Sequence, residues 1–176
     1  ERDGEGIYVM GSTGESVKRL TDFGHDPSWS PDGKQIVFSS GSGQNPWSRD
    51  ALAQLWVVPS SGGEVRQLTK EGDAVQPSWS PGGRRIAFWG LRADSGQRDI
   101  WTIPVEGEPT PVAVTSDAAV DWNPAWSPDG QTLFFASVRG GSMNLWRVAI
   151  DEASGRPRGE PRPLTTPSRM SGSISL

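Results

Sequence analysis

The chain has 176 residues, a formal net charge of −4, one histidine, no cysteine, and many turn formers, with 22 Gly and 15 Pro. This excludes disulfide and thiolate chemistry, gives no basic field for nucleic acid, and leaves no apolar run near the roughly 18 residues that a membrane span needs, so no membrane insertion is expected within these residues. No window carries the 3.6-residue apolar period of a helix, and the class is all-β.

In chain order, the first element is a short β run, Ile7-Tyr8-Val9-Met10, followed across the turn at 12–14 by a second run ending in Arg19-Leu20-Thr21. Next comes Asp26-Pro-Ser-Trp29, in which Pro27 and Trp29 lie two apart and share a strand face. Ser30-Pro31-Asp32-Gly33 then sets a Pro where φ near −65° starts a type I turn and a Gly where a left-handed residue lets a hairpin close. It leads to Ile36-Val37-Phe38. After a long connection at 41–53 come Leu55-Trp56-Val57-Val58, a Gly-rich turn at 61–63, and Gln67-Leu68-Thr69.

The same series returns twice. Gln76-Pro-Ser-Trp79 and Asn123-Pro-Ala-Trp126 copy the first segment, so that Trp29, Trp79 and Trp126 are 50 and 47 residues apart. Ile86-Ala87-Phe88 and Leu133-Phe134-Phe135 copy the second, Ile100-Trp101 and Leu145-Trp146 the third, and Val114-Thr115 and Leu164-Thr165 the fourth. This is the spacing of propeller blades or solenoid turns, with four short strands in each unit. The units run 23–70, 71–116 and 117–166. Residues 1–22 read as the end of an earlier unit and 167–176 as the first strand of the next, with a strand at 173–176. Two strands, three sets of four and one more predict fifteen (2 + 12 + 1). The last unit differs by a longer third-to-fourth connection at 151–159.

A four-stranded sheet of this size cannot bury both faces alone, so neighbouring units must stack face to face. The repeated aromatics Trp29, Trp79, Trp126, Trp56, Trp101, Trp146, Phe38, Phe88 and Phe135 are therefore read as inter-blade core and not as ligand platforms.

The pattern Pro-x-Trp-Ser-Pro-Asp-Gly-x-x-Ile-x-Phe, followed by Ile/Leu-Trp/Tyr and then Leu-Thr, resembles the WD-like repeat of the TolB propeller family. The resemblance implies a β-propeller arc of four-stranded antiparallel blades, cut from a ring of about six or seven, with the rest of its own propeller needed for closure. It also implies a non-catalytic propeller in a periplasmic or extracytoplasmic setting that binds a protein or peptide through its loop face. Similar repeats form accessory or sensor propellers of larger enzymes, such as serine peptidases of the prolyl oligopeptidase or dipeptidyl peptidase type and bacterial Ser/Thr protein kinases. On that second reading the catalytic domain lies outside these residues.

In a propeller the second-to-third and fourth-to-first connections emerge on one face, here 41–53, 90–98 and 138–143 with 22–26, 70–76 and 116–123. Binding residues are sought there, because loops vary while strands hold the stack. His25, Trp47, Arg49, Arg92, Asp73 and Asp121 are the candidates, with Trp47 and Arg49 of the anchor types that dominate interfaces. His25 beside Asp26 lacks any Gly-x-Ser-x-Gly partner motif, so no catalytic residue is assigned. Asp32 and Asp129 occupy a turn position that holds Gly82 in the middle unit, which fits a turn former better than a metal ligand. Asp22, Asp26, Asp73, Asp117 and Asp121 are read as charges solvating an open rim, and no metal or cofactor is expected.

Overall fold

A computed structural model of the chain describes residues 5–43, 46–47, 52–91 and 97–165. These contain fifteen strands in antiparallel sheets and no helix. A two-stranded sheet, β1 (Tyr8–Val9) with β2 (Lys18–Arg19), comes first. Three blades follow, each with its strands side by side in chain order. The first is β3 (His25–Trp29), β4 (Gln35–Ser39), β5 (Leu55–Pro59) and β6 (Arg66–Gln67), and the second is β7 (Val75–Trp79), β8 (Arg85–Leu91), β9 (Arg98–Pro104) and β10 (Val112–Ala113). The third is β11 (Asp121–Trp126), β12 (Thr132–Ser137), β13 (Asn144–Asp151) and β15 (Arg162–Pro163). The expected count of fifteen is met by a different set. The long connection of the last blade carries an extra short strand, β14 (Arg156–Pro157), paired with the end of β13, while the strand expected at 173–176 lies outside the described residues.

The Ser-Pro-x-Gly turn closes as its residues require. Gly33, Gly83 and Gly130 take φ of 70°, 74° and 69°, and each donates its N–H to the carbonyl of the turn's serine at 2.9 Å. Asp32 and Asp129 brace their own turns. Each takes the hydroxyl of Ser30 or Ser127 and the N–H of Lys34 or Gln131, and these bonds hold both carboxyls below the usual carboxylate range.

The Leu-Thr echo has a physical reason that periodicity alone does not give. The outermost strands are only two residues long, and the threonine past each strand turns back to take the N–H that opens the third strand. Thr21, Thr69, Thr115 and Thr165 accept from Ile7, Leu55, Ile100 and Leu145 at 2.9, 2.9, 2.9 and 3.1 Å. Such a bolt satisfies a donor that the short strand leaves uncovered.

The core lies between the sheets. Ile7, Ile36, Phe38 and Val58 pack together between the first sheet and the first blade. Val37, Leu55, Val57, Trp79, Phe88 and Trp101 fill the next seam, and Ala87, Trp89, Ile100, Trp126, Leu133 and Phe135 the one after. Trp79 and Trp126 thus point at the preceding blade, and the backbone N–H of each reaches that blade's serine: Trp79 to Ser28 Oγ at 3.2 Å and Trp126 to Ser78 Oγ at 3.4 Å. Trp79 and Trp126 are 8% and 6% exposed, but Trp29 is 53% exposed and departs from the expected burial. The sheet before it consists of two strands only, the counterparts of a blade's third and fourth, and offers no counterpart of Val37 on a second strand for the indole to cover. Of the third-strand tryptophans, Trp101 is buried, while Trp56 and Trp146 are partly buried, Trp56 meeting Phe23 edge-on at 5.4 Å.

Candidate functional site

The innermost strand of every blade is interrupted at the same place. The register slips between His25 and Ser28, between Val75 and Ser78, and between Trp122 and Ala125. The residues in the bulge, Asp26, Gln76 and Asn123, have φ of 52°, 48° and 58°. All three precede a proline in the left-handed region, a conformation that costs about 1–3 kcal/mol each and persists only where its surroundings fix it. The bulges re-aim the strand so that these residues and the Pro-Ser, Pro-Ser and Pro-Ala steps after them line a cleft of about 410 Å³ along the inner strands. Their side chains also tie down neighbouring structure. Asp26 Oδ2 accepts the N–H of Gly43 at 2.9 Å, which pins the root of the long 41–53 connection, and Gln76 Oε1 accepts the indole N–H of Trp89 at 2.5 Å.

Pro46 is buried, and the exposed ring of Trp47 meets Trp122 of the third blade edge-on, with centroids 5.1 Å apart and planes at 66°. Trp122 is buried beneath it. The far end of the connection is tied to the second blade, where Ala53 N–H donates to Asp73 Oδ1 at 2.8 Å and Ala53 C=O accepts Ala74 N–H at 2.9 Å. Trp47 therefore stands on its own blade's loop but rests on another blade.

The residue before Trp122 belongs to a group of charges. Asp121, immediately before Trp122, is fully buried and takes Arg139 Nη2 on Oδ2 at 2.8 Å, and the more exposed Asp117 takes the same nitrogen at 2.7 Å. The Arg139 guanidinium lies 5.5 Å from the Phe135 ring and 5.3 Å from the Trp146 ring. Asp99, on β9 and also buried, accepts from Thr115 Oγ1 at 3.3 Å. Three carboxylates face one guanidinium. Burial, with the Asp121 charge behind it, pushes the Asp99 carboxyl up to about 7, and burial pushes Asp121 to about 6 against the opposing pull of the Ser137 hydroxyl and Arg139.

The structure thus brings Trp47 together with the strand end carrying Asp121, and it places Asp73 at the foot of the same connection. His25 sits half-buried on β3, its carbonyl accepting from Ser39 Oγ at 3.3 Å and its ring making no hydrogen bond among the described residues. Arg49 and Arg92 lie outside the described residues. Asp22 is exposed and Asp26 lies in the bulge of the first blade, while Asp73 and Asp121 are buried, with Asp73 Oδ1 and Asp121 Oδ2 engaged in internal bonds. Trp122, Asp99 and Arg139 are not apparent from the repeat, whereas Thr115 belongs to its fourth-strand echo. One signal did exist: the residue before the Leu/Ile-Trp pair is Gln54, Asp99 or Asn144, and each accepts from its blade's threonine, at 2.7, 3.3 and 3.2 Å.

Residues 70–160 match the family model of the TolB beta propeller domain. The chain is 34% identical over 136 residues to a protein TolB homolog of Chlorobium chlorochromatii, covering 76% of this chain and 28% of that protein. It is 26% identical over 132 residues to dipeptidyl-peptidase 5 of Porphyromonas gingivalis, covering 71% of this chain and 19% of that one. The crystal structure of TolB from Acinetobacter baumannii superposes with a TM-score of 0.71 at 21% identity, over 96% of this chain and 40% of that one, a likeness of fold. The chain spans less than half the length of the curated relatives it matches.

Proposed function

Because this chain belongs to the TolB β-propeller domain family, we propose that it is part of a non-catalytic binding propeller that takes a protein or peptide on its loop face. The observation that carries this reading is the Trp47 platform. An indole 54% exposed, whose ring meets the buried Trp122 edge-on, is an aromatic anchor offered to solvent. Such an anchor loses little entropy on binding, which is why aromatic residues of this kind dominate interface energetics. His25, Arg49 and Arg92 complete the proposed face, with Asp73 and Asp121 supporting it from beneath. The setting proposed, from the family, is periplasmic or extracytoplasmic.

The test is a peptide-display selection against the chain, followed by titration of the selected peptides onto the parent and onto Trp47→Ala. Loss of an anchor is expected to weaken binding by at least about tenfold, equivalent to 1.4 kcal/mol. Peptides that bind Trp47→Ala unchanged but lose affinity when Asp32 or Asp129 in the opposite turns is changed would reverse the assignment of the face.

A second reading is supported by the similarity to dipeptidyl-peptidase 5: an accessory or sensor propeller whose catalytic domain, a serine peptidase or a Ser/Thr kinase, is carried elsewhere in a longer protein. Under that reading the loop face meets the attached domain, and selected peptides compete with that domain in cis. Adding the catalytic domain would then abolish peptide binding, whereas under the first reading it would leave binding intact.

A further inference from the structure

We propose that the 151–159 hairpin of the third blade is an inter-blade clasp, in which Glu152 supplies to the second blade's turn the carboxylate that Gly82 lacks. The argument starts from one substitution in the repeat. In the outer two blades the turn reads Ser-Pro-Asp-Gly and is braced by its own aspartate, with Ser30 Oγ to Asp32 at 2.7 Å and Ser127 Oγ to Asp129 at 2.6 Å. In the middle blade it reads Ser-Pro-Gly-Gly and has no such brace. There a carboxylate from another blade reaches the turn at a different point, the N–H of Gly82 donating to Glu152 Oε1 at 2.7 Å across 70 residues of sequence.

The space at the turn is shaped for that carboxylate. A Cβ at Gly82 would lie 2.5 Å from Glu152 Oε1, and one at Gly130, in the third blade's own turn, would lie 2.7 Å from Oε2. The group is therefore held between the turns of two neighbouring blades, and a side chain at 82 would require that carboxylate to move aside, which breaks its bond to the Gly82 N–H. The hairpin that delivers it is folded from within: Asp151 Oδ2 accepts Ser154 N–H at 3.1 Å and Ser154 Oγ at 2.5 Å, while Asp151 Oδ1 accepts Arg158 Nη2 at 2.5 Å. A second attachment reaches the same neighbour. Gly155 C=O accepts Thr102 Oγ1 of β9 at 3.0 Å, and Thr102 Oγ1 itself accepts from Arg85 Nε of β8 at 3.2 Å. Gly155 has a φ of 71°, and any Cβ there would strike Thr102 and Arg85. One unusual connection thus accounts for one unusual turn. The blade lacking the turn aspartate stands beside the blade with the long third-to-fourth connection.

The proposal predicts reciprocal rescue, read by thermal unfolding of the whole chain. Glu152→Ala removes the acceptor and Gly82→Asp drives a carboxylate against Glu152, and each alone is expected to lower Tm by about 2–4 °C. Combining them clears the collision and lets the introduced aspartate brace its own turn as Asp32 and Asp129 do, so the double variant is expected to melt close to the parent. Glu152→Gln, which keeps an acceptor oxygen, is expected to lose less than Glu152→Ala. Additive losses in the double variant would overturn the proposal. Hydrogen exchange gives a second reading that global stability does not dominate: the Gly82 amide should exchange slowly in the parent and much faster than its neighbours in Glu152→Ala. Equal exchange of that amide in both would show that the clasp does not form.

Discussion

Trp79→Ala is expected to cost about 3–5 kcal/mol of unfolding free energy, several times the cost of the same truncation at Trp29. Both residues hold the same position in the repeat, but their surroundings differ. Trp79 lies in the seam between two full blades, in contact with a cluster that includes Val37, Val57, Ile86 and Phe88, and truncation would open a cavity that these side chains cannot close. Trp29 is 53% exposed, so its removal gives up only part of its apolar burial, roughly 1 kcal/mol. Trp47→Ala, which removes one edge-on contact from an exposed ring, is expected to resemble Trp29→Ala in stability while acting on binding. Urea unfolding with an unchanged slope would read these differences from the midpoints. Equal midpoints for Trp79→Ala and Trp29→Ala would show that the seams between blades do not carry the stability of the arc.

Much of this arrangement is legible in the sequence because a repeat states its own boundaries. The recurrence of Pro-x-Trp and of Ser-Pro-x-Gly places the starts of the first and second strands, and the Ile/Leu-Trp echo the start of the third, to within two residues. The fourth strand is the least legible. Its echo, such as Gln67-Leu68-Thr69, reads as a run ending in threonine, whereas the paired segment is Arg66–Gln67 and the threonine has already left the sheet to cap the third strand. Periodicity shows that the threonine recurs but not which group it bonds. The bulges are invisible for a similar reason. Period two puts Pro27 and Trp29 on one face, and nothing in Asp26, Gln76 or Asn123 as residue types announces a left-handed backbone, although Asn and Asp tolerate it better than most.

The site is less legible than the fold, since it is assembled from single-copy residues brought together across blades. Trp47 stands out in sequence as a loop aromatic, but its rest on Trp122 joins residues 75 positions apart in different blades. Trp89 and Trp122 were hidden by position: each lies one step outside the repeated Trp pattern, and both are buried. Asp73 and Asp121 read as rim charges because acidic residues are usually solvated. In the fold the first anchors a loop amide and the second an arginine, so they shape the face from below.

That buried charge group leads to the second large expectation, that stability falls as pH rises from about 5 to 8. The sign follows from the direction of the shifts. The Asp99 and Asp121 carboxyls are raised to about 7 and about 6 from an ordinary 3.8, so the folded chain holds protons that the unfolded chain has already released. Stability then decreases with pH wherever the folded state binds more protons, which here is the window between the unfolded value near 4 and the folded values. The two groups lie close enough to titrate as a pair, and the loss is expected to follow two overlapping steps. Asp32, Asp129 and Asp151 are shifted the other way and lose their contribution only in acid, below this window. Asp99→Asn separates the cause from other titrations. The amide keeps an oxygen for Thr115 Oγ1 but carries no charge beside Asp121 and Asp117, so the variant is expected to be more stable than the parent at pH 8, on the order of a few kcal/mol, and to show a flatter profile. A parent whose stability rises from pH 5 to 8, or an Asp99→Asn variant with the parent's slope, would mean that the seam beneath the loop face holds its carboxylates ionised without penalty.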